Sequence, residues 1–473
     1  MALSRLRAAF ALFRQALVGN VTVNYTEGSI ARATFLLSVP MILEMLMEAL
    51  FAIVDIFFVA GLGPAAVATV GLTEAVISLI YAVAIGLSMA ATALVARRSG
   101  ERNPGAAAVV AGQVMWVGVA VSVIVAVTGW YNAERILRLM GASADVIAEG
   151  TTYTGLMFAG SFTIVFLFLN NAIFRGAGDA TVAMRALVLA NGINIVLDPI
   201  LIYGWGPVPG MGLTGAAIAS IIGRGCGVVY QVAYLMARNR RIRIALSDLA
   251  LRLSIIGDLL RISVGGMAQF LISTASWIFL MRLVAEHSAD AVAGYTIALR
   301  IILFVILPVW GLSNAVATLV GQNLGAGRPD RAERTVWLVV GYNLAYMAVI
   351  AVLLQWFPAT IMGFFINGAD VADSSELLSN GIESLRILSY GFIFLAIGSV
   401  AVQAYNGAGD TLTPTWINIF AFWILQIPLA WTLTNAAGWG PEGVYWSVFV
   451  ADVTMSLLGL AVFLQGRWKR FAC

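Results

Sequence analysis

The chain has 473 residues, of which 61% are hydrophobic and 11% charged, and its formal net charge is +3. Soluble proteins carry roughly 25% charged residues, so this composition excludes a soluble enzyme of any common fold. The small net charge gives no support for nucleic-acid binding. Two cysteines and the single His287 give no basis for a disulfide framework or a histidine-based metal site. The chain is predicted to be a polytopic membrane protein.

The N-terminal segment, residues 1–33, is predicted to form a cytoplasmic amphipathic helix on the membrane surface. Arg5, Arg7 and Arg14 interrupt its apolar stretch. No small-residue cleavage site of the kind that ends a secretory signal peptide follows them. A surface helix with one apolar face is typical of this pattern.

Twelve apolar segments follow that can each cross a bilayer, since one crossing needs about 20 apolar residues. The first six form a predicted first lobe at 34–237, and the last six form a second lobe at 259–466. A basic cytoplasmic linker at 238–258 joins the lobes, and a cytoplasmic tail at 467–473 ends the chain. The predicted spans are residues 34–58, 66–96, 105–130, 150–174, 183–204, 213–237, 259–285, 292–322, 333–357, 384–405, 414–436 and 442–466.

Basic residues set the predicted orientation, because Lys and Arg concentrate on the cytoplasmic side of membrane proteins. The termini and connections on one side, with the adjoining helix ends, hold 21 Lys and Arg, whereas the other side has only Arg135 and Arg138. Both termini are therefore expected in the cytoplasm, with the connection at 131–149 outside. The expected location is the inner membrane of a bacterial cell.

The chain repeats itself at an offset near 225–234 residues. ATALVARRSGERNP at 91–104 corresponds to VATLVGQNLGAGRP at 316–329, and RGAGD at 175–179 corresponds to NGAGD at 406–410. Each copy has six spans, so both copies begin on the same side and their pseudo-twofold axis runs along the membrane normal. Two bundles that rock about a central site are typical of secondary transporters. The predicted fold is all-α, with twelve transmembrane helices in two pseudo-twofold-related six-helix bundles.

These features resemble the multidrug and toxic compound extrusion (MATE) family over nearly the whole chain. The resemblance is carried by Pro40, by Val54-Asp55 followed by Gly61, and by the glycine-containing turns after spans two, four, eight and ten. The family implies two six-helix lobes and efflux of organic, often cationic compounds, driven by H⁺ or Na⁺. Neither a cofactor nor an enzymatic activity is expected.

Acidic residues inside the spans of the first half are the candidate functional residues. A charged side chain at this depth costs at least about 2.5–3.5 kcal/mol, so each needs protein or water around it. Asp55 lies six residues before Gly61, and Asp198 lies six residues before Gly204. Both glycines mark the outer ends of outward-running spans, which places both acids in the outer half of the membrane. The cavity-lining candidates are Glu44, Glu48, Glu74, Pro40, Met41 and Phe51.

The second half has no acids at the corresponding positions: Gln269 aligns with Glu44, and Leu280 aligns with Asp55. Acids with a purely structural role should occur in both copies, so the ion-handling site is predicted in the first lobe. Within the family, this pattern resembles the DinF-like branch, where an aspartate in the first span and an Asn-x-x-x-Asp in the fifth form the cation site. The resemblance implies cation binding and coupling by Asp55, Asn194, Asp198 and, less directly, Ser220, and a Na⁺ could be held by the first three.

The predicted function is secondary active efflux of lipophilic or cationic organic compounds by alternating access, in exchange for H⁺ or, as the alternative ion, Na⁺. Burial disfavours the charged form of a carboxyl group, which lets such a group take up a proton near neutral pH. The expected partners are small-molecule drugs or organic cations and membrane lipids, without nucleic acid, and a monomer is expected. The alternative function is a flippase for a lipid-linked substrate. Binding such an anionic cargo should need several basic residues in the cavity. The first lobe has Arg224 alone there, which argues against this alternative.

Overall fold

The chain folds almost entirely into helices. The computed structural model describes residues 2–19, 23–237, 241–366 and 375–471. The predicted N-terminal helix is present as α1, Ala2–Val18. Outside the described part lie residues 1 and 20–22 of the predicted N-terminal segment, the side chain of Arg5, residues 238–240 of the predicted linker and residues 472–473 of the predicted tail.

Each predicted span is helical, and the helices fall into two bundles. The first bundle consists of α2 (Ile30–Ala60), α3 (Pro64–Gly100), α4 (Pro104–Leu139), α5 (Ala144–Ala159), α6 (Ser161–Ala177), α7 (Ala180–Tyr203) and α8 (Leu213–Met236). The second bundle consists of α9 (Leu253–Ala285), α10 (Ala289–Gly325), α11 (Pro329–Trp356), α12 (Pro358–Ile366), α13 (Ser375–Tyr390), α14 (Phe392–Ala408), α15 (Leu412–Ala436) and α16 (Pro441–Leu464). A 3₁₀ turn at Leu246–Leu249 precedes α9, which begins six residues before the predicted seventh span.

The number of membrane-crossing helices agrees with the prediction. Within the described residues, ten helical segments are long and apolar enough to cross a membrane when α5 and α6 are counted as one segment, Ala144–Ala177. The α13–α14 pair, bent by 54°, makes eleven. The twelfth is α2, a helix of 31 residues that carries the three acids of the first span. The eleventh span, α15, has π-helical turns at Ile419–Gln426 and Thr432–Ala436.

The two repeated GAGD motifs form the same helix ends. Gly178 after α6 and Gly409 after α14 have φ angles of 82° and 89°, in the left-handed region that favours glycine. The amide of the following aspartate then bonds back to the helix, from Asp179 to Phe174 O at 2.8 Å and from Asp410 to Tyr405 O at 3.0 Å. This is why the motif appears in both halves of the sequence.

The bundles meet through equivalent residues of α3 and α10. A Cβ on Gly100 would lie 2.7 Å from the carbonyl carbon of Gln322, and a Cβ on Gly325 would lie 2.9 Å from that of Arg97. Gly100 corresponds to Gly325 and Arg97 to Gln322 at an offset of 225 residues, so the two contacts are related by the pseudo-twofold axis. The end of the molecule at which α3 and α10 finish is referred to below as the closed end.

A second pair of contacts obeys the same symmetry. Gly86 of α3 packs against Met267 of α9, and Gly311 of α10 packs against Ile42 of α2. Both contacts lie in the halves of α3 and α10 that lead to the closed end. The bundles are therefore held together over this half of the molecule by backbone approaches that only glycine permits.

A segment between α1 and α2, residues 23–29, crosses the closed end and is called the strap below. From the second bundle, Arg328 donates to the carbonyl oxygen of Thr26 at 2.6 Å, and Arg331 donates to those of Tyr25, Glu27 and Gly28 at 3.3, 3.0 and 2.8 Å. The strap therefore has hydrogen bonds to the second bundle along most of its length.

The strap is also bound to the first bundle. Arg102, between α3 and α4, forms a 2.6 Å ion pair with Glu27. Arg241 of the linker donates to the carbonyl oxygen of Gly178 at 3.1 Å, and its guanidinium lies 4.7 Å from the centre of the Tyr25 ring. Burial raises the pKa of the Tyr25 hydroxyl above its ordinary value, so the ring stays neutral beside Arg241. The strap thus contacts both bundles at the closed end.

Candidate functional site

Close packing of α8 on α7 positions the polar residues of both helices. A Cβ on Gly223 would lie 2.8 Å from the carbonyl oxygen of Ala190 and 3.2 Å from the Cβ of Asn194. Glycine at this position lets the two backbones approach each other. Ser220, about one turn before Gly223 on α8, is thereby brought beside α2.

The four residues predicted to handle the ion come together from three helices. Ser220 Oγ donates a 2.8 Å hydrogen bond to Asp55 Oδ2, and Asn194 Nδ2 donates a 3.1 Å hydrogen bond to Asp198 Oδ1. The side chain of Asp55 also interacts with those of Asn194 and Asp198. Asn194, Asp198 and Ser220 are buried and Asp55 is half-buried. These four side chains are called the coupling cluster below.

Three oxygen atoms of the coupling cluster are left without a donor. Asp55 Oδ1, Asn194 Oδ1 and Asp198 Oδ2 are buried, and none has a hydrogen-bond partner in the part of the chain that the structure describes. A buried unsatisfied polar group costs about 1–3 kcal/mol, and more when it is charged. Buried acceptors without donors, grouped in one cluster, suit a proton or a small cation.

The coupling cluster is poor in ligands for a divalent metal. No group of three or more His, Cys, Asp or Glu side chains that could hold a metal ion occurs among the described residues. Ca²⁺ takes 6–8 oxygen ligands, and Mg²⁺ needs octahedral geometry. Two carboxyl groups, one amide and one hydroxyl fit a monovalent cation better.

Glu44, a predicted cavity-lining residue, is enclosed in an ion pair. Its Oε1 lies 2.6 Å from Arg175 Nη1, and the residue is 1% exposed. At the corresponding positions of the second bundle, Gln269 Nε2 donates a 3.1 Å hydrogen bond to Asn406 Oδ1. The structure therefore places Glu44 in a contact that both bundles use to fasten their first span to the turn after the fourth, and not at an open cavity.

Pro40 and Met41, also predicted to line the cavity, are packed inside the protein. Both are buried in α2, and Met41 belongs to an apolar cluster with Ala315 and Leu319 of α10. The structure places Met41 in the contact between the two bundles. Phe51 is 1% exposed, and a guanidinium group lies over its ring.

That guanidinium belongs to Arg224, the one basic residue that the sequence analysis placed in the cavity of the first lobe. Its Cζ lies 4.1 Å from the centre of the Phe51 ring, and its Nη2 lies 3.5 Å from the Tyr81 hydroxyl. Arg224 is 8% exposed. The sequence contained one signal for this position, because Arg224 follows Ser220 by four residues and therefore shares its helix face.

Arg224 interacts electrostatically with the remaining acids of the first bundle. It attracts the half-buried Glu48 and the exposed Glu74 as well as the two carboxyl groups of the coupling cluster. Glu74 is also repelled by Asp55. The predicted acids thus form one electrostatic group around a single arginine, except for Glu44, which pairs with Arg175.

Comparisons with known proteins agree with this arrangement of helices. A sequence model of the MatE family matches residues 40–200 and 262–432. The chain is 26% identical over 442 residues to a probable multidrug resistance protein NorM of Thermotoga maritima, covering 92% of each chain.

Two solved structures are similar over nearly their whole length. A crystal structure of MATE in complex with MaL6 superposes with a TM-score of 0.88 at 26% identity, covering 96% of this chain and 99% of that one. An outward-facing multidrug resistance MATE family transporter of the MOP superfamily superposes with a TM-score of 0.86 at 26% identity, covering 94% of this chain and 97% of that one.

Proposed function

We propose that this chain, which belongs to the MatE family of membrane transporters, exports lipophilic and cationic organic compounds by alternating access in exchange for a cation. The similarity to a protein named as a probable multidrug resistance protein, and to a structure named as a multidrug resistance transporter, supports this cargo. Apart from Glu44, which pairs with Arg175, the acids of the first bundle have Arg224 as the one basic group near them in the described part of the chain, and they favour cationic and neutral cargo over anions.

The observation that carries the proposal is the set of unsatisfied oxygens in the coupling cluster. Asp55, Asn194 and Asp198 each present one buried acceptor without a partner among the residues described. A bound cation would compensate all three at once, and its departure would leave them uncompensated. The occupied and the free cluster therefore differ in free energy, as a coupling site requires.

We propose H⁺ as the coupling ion, with Na⁺ as the alternative. Two interacting carboxyl groups in a site of low dielectric constant cannot easily both be ionised, so one proton shared by Asp55 and Asp198 is the simplest occupant. Proton entry supplies about 2.3 kcal/mol per charge per 100 mV of membrane potential. Na⁺ would use the same oxygens, which are ligands of the hard type that such ions accept.

The orientation that the basic residues predict gives the closed end its place in the cycle. With both termini in the cytoplasm of a bacterial cell, α3 and α10 finish on the inner side, and the contacts between bundles seal that side. We propose that this structure represents the outward-facing state of a multi-pass inner-membrane protein, with lobes at 34–237 and 259–466 joined by the linker at 238–258. We further propose that it works as a monomer in contact with lipid.

Transport by purified protein in lipid vesicles tests the proposal. An H⁺ gradient and a Na⁺ gradient should be imposed separately, with an organic cation such as ethidium as cargo. We expect the H⁺ gradient to drive ethidium movement and Asp55→Asn and Asp198→Asn each to abolish it. If only the Na⁺ gradient drove transport, the coupling ion would be Na⁺ and not H⁺.

A double variant and a control variant sharpen the experiment. Asp55→Asn/Asp198→Asn should be little worse than either single variant, because removing half of a coupled pair already disables it. Asp452→Asn changes a half-buried acid of α16 in the second bundle and should leave most transport intact. Gradient-driven transport by Asp198→Asn at near the wild-type rate would contradict the paired site.

A further inference from the structure

Arg224 occupies the surroundings that would bind an organic cation. Its guanidinium lies over the face of Phe51 at 4.1 Å and within the field of Glu48, Asp55 and Glu74. An aromatic face combined with nearby carboxyl groups attracts a cation through the ring quadrupole and through its charge. A lipophilic cation would seek the same two features.

The position of Arg224 is continuous with the coupling cluster. On α8 it follows Ser220 by four residues, and on α2 its partner Phe51 precedes Asp55 by four residues. The two helices therefore place the Arg224–Phe51 contact one helical turn from the Ser220–Asp55 hydrogen bond. A molecule bound at Phe51 would lie next to the proposed ion site.

The contacts of Arg224 are of a kind that can be exchanged. Within the described chain Arg224 forms no ion pair, and its nearest hydroxyl partner, on Tyr81, is 3.5 Å away. Arg175 differs, because it pairs with Glu44 at 2.6 Å. Arg224 is thus held by the ring and by the summed field of the acids, without the short, fork-like bonds that fix an arginine in place.

We propose that Arg224 is a tethered competitor of the cationic cargo and thereby sets the cargo specificity of the transporter. In the absence of cargo, its guanidinium covers Phe51 and partly neutralises the acids. A cationic cargo binds by displacing it, and the return of Arg224 favours release. This inference rests on the proposed function, since it assigns a role within the same exporter.

Equilibrium binding of two probes of similar shape tests the inference. Tetraphenylphosphonium is a cation and triphenylphosphine oxide is neutral, and both can be measured with the purified full chain in nanodiscs. We expect Arg224→Gln to bind tetraphenylphosphonium about tenfold more tightly than the wild type, since one competing charge is removed. Arg224→Lys keeps the charge and should remain within about twofold of the wild type. The affinity for triphenylphosphine oxide should change by less than about twofold in both variants.

A double variant covers the case in which Arg224→Gln does not fold. Glu48→Gln/Arg224→Gln preserves the net charge of the acidic group. We expect it to bind tetraphenylphosphonium more tightly than Glu48→Gln alone, by the same factor as Arg224→Gln exceeds the wild type. Unchanged or weaker tetraphenylphosphonium binding without Arg224 would overturn the inference. An equal gain for triphenylphosphine oxide would also overturn it, because the effect would then come from space and not from charge.

The outcomes separate this inference from the proposed function. If the wild type transports tetraphenylphosphonium under an ion gradient while Arg224→Gln binds it no more tightly, only the role of Arg224 is refuted. If no gradient drives transport of an organic cation by the wild type, the proposed function fails, whatever the binding measurements give.

Discussion

Substitution of Gly100 by alanine should open the closed end. The added Cβ would lie 2.7 Å from the carbonyl carbon of Gln322 and 2.8 Å from its Cα. Carbon atoms in contact prefer about 3.5–4.0 Å, so the overlap approaches 1 Å. The atoms that it meets belong to the backbone of α10 and cannot rotate away, and therefore the two helices must separate.

The size of the effect follows from the cost of overpacking. Inserting a methyl group into a packed contact costs typically about 1–3 kcal/mol, and the cost here falls only on the state in which the bundles touch. A shift of this size changes the ratio of closed to open molecules about 5- to 150-fold. Gly325→Ala makes the equivalent contact with Arg97 and should have a similar effect.

Cysteine accessibility measures this shift. Thr318 is fully buried on α10, seven residues from both Gly311 and Gly325 and so on the face that meets the first bundle. In a background without the two native cysteines, a cysteine at Thr318 should react with maleimide faster once Gly100 is replaced, and transport should fall.

Gly71→Ala provides the matched control. Gly71 lies in the same helix, α3, and an added Cβ would meet nothing within 4 Å. Alanine there should leave labelling and transport unchanged and should raise helix stability slightly. If Gly100→Ala showed the wild-type rates of labelling and transport, the conclusion that the bundles must touch at the closed end during the cycle would be refuted.

Two other expectations follow from the ion pair and from the predicted orientation. Arg175→Asn leaves the Glu44 carboxylate buried without its partner and should destabilise the protein by about 3–5 kcal/mol, whereas Glu44→Gln/Arg175→Asn installs the neutral pair of the second bundle and should restore most of the thermal stability measured in detergent. Met140→Cys, at an exposed position between α4 and α5, should react with a membrane-impermeant reagent added outside intact cells, whereas Leu246→Cys, exposed between α8 and α9, should react only after permeabilisation. The reverse pattern of labelling would place the termini outside.

The sequence predicted the helices and the common depth of Asp55 and Asp198, because both follow from regular helix geometry. Span lengths follow from bilayer thickness, and the equal distance of Asp55 and Asp198 from the ends of their spans placed them at one depth. To predict that Asp55 interacts with Asp198, one must also know that α2 contacts α7. To predict the hydrogen bond from Ser220 to Asp55, one must know that α8 lies beside α2. Helix neighbours are set by side-chain packing, which the hydropathy of a single sequence does not specify.

The ion pair in the first bundle was within reach of the sequence. The repeat aligned Glu44 with Gln269 and, separately, Arg175 with Asn406. The first half thus has two charged residues where the second half has two neutral ones. This paired change predicts that Glu44 contacts Arg175 and that Gln269 contacts Asn406, as the structure shows. The environment of Arg224 had no such signal, because a ring contact depends on the relative rotation of α2 and α8.

The strap has a consequence for the rate of the transport cycle. Residues 23–29 are continuous with α2 and so must move with the first bundle, which means that opening the closed end breaks the hydrogen bonds from Arg328 and Arg331 to strap carbonyl oxygens. A hydrogen bond at this partly exposed surface contributes about 0.5–1.5 kcal/mol, and these bonds must be lost together when the bundles part. We therefore expect the lifetime of the closed state to be determined largely by two arginines at the molecular surface, remote from the acids that bind the ion.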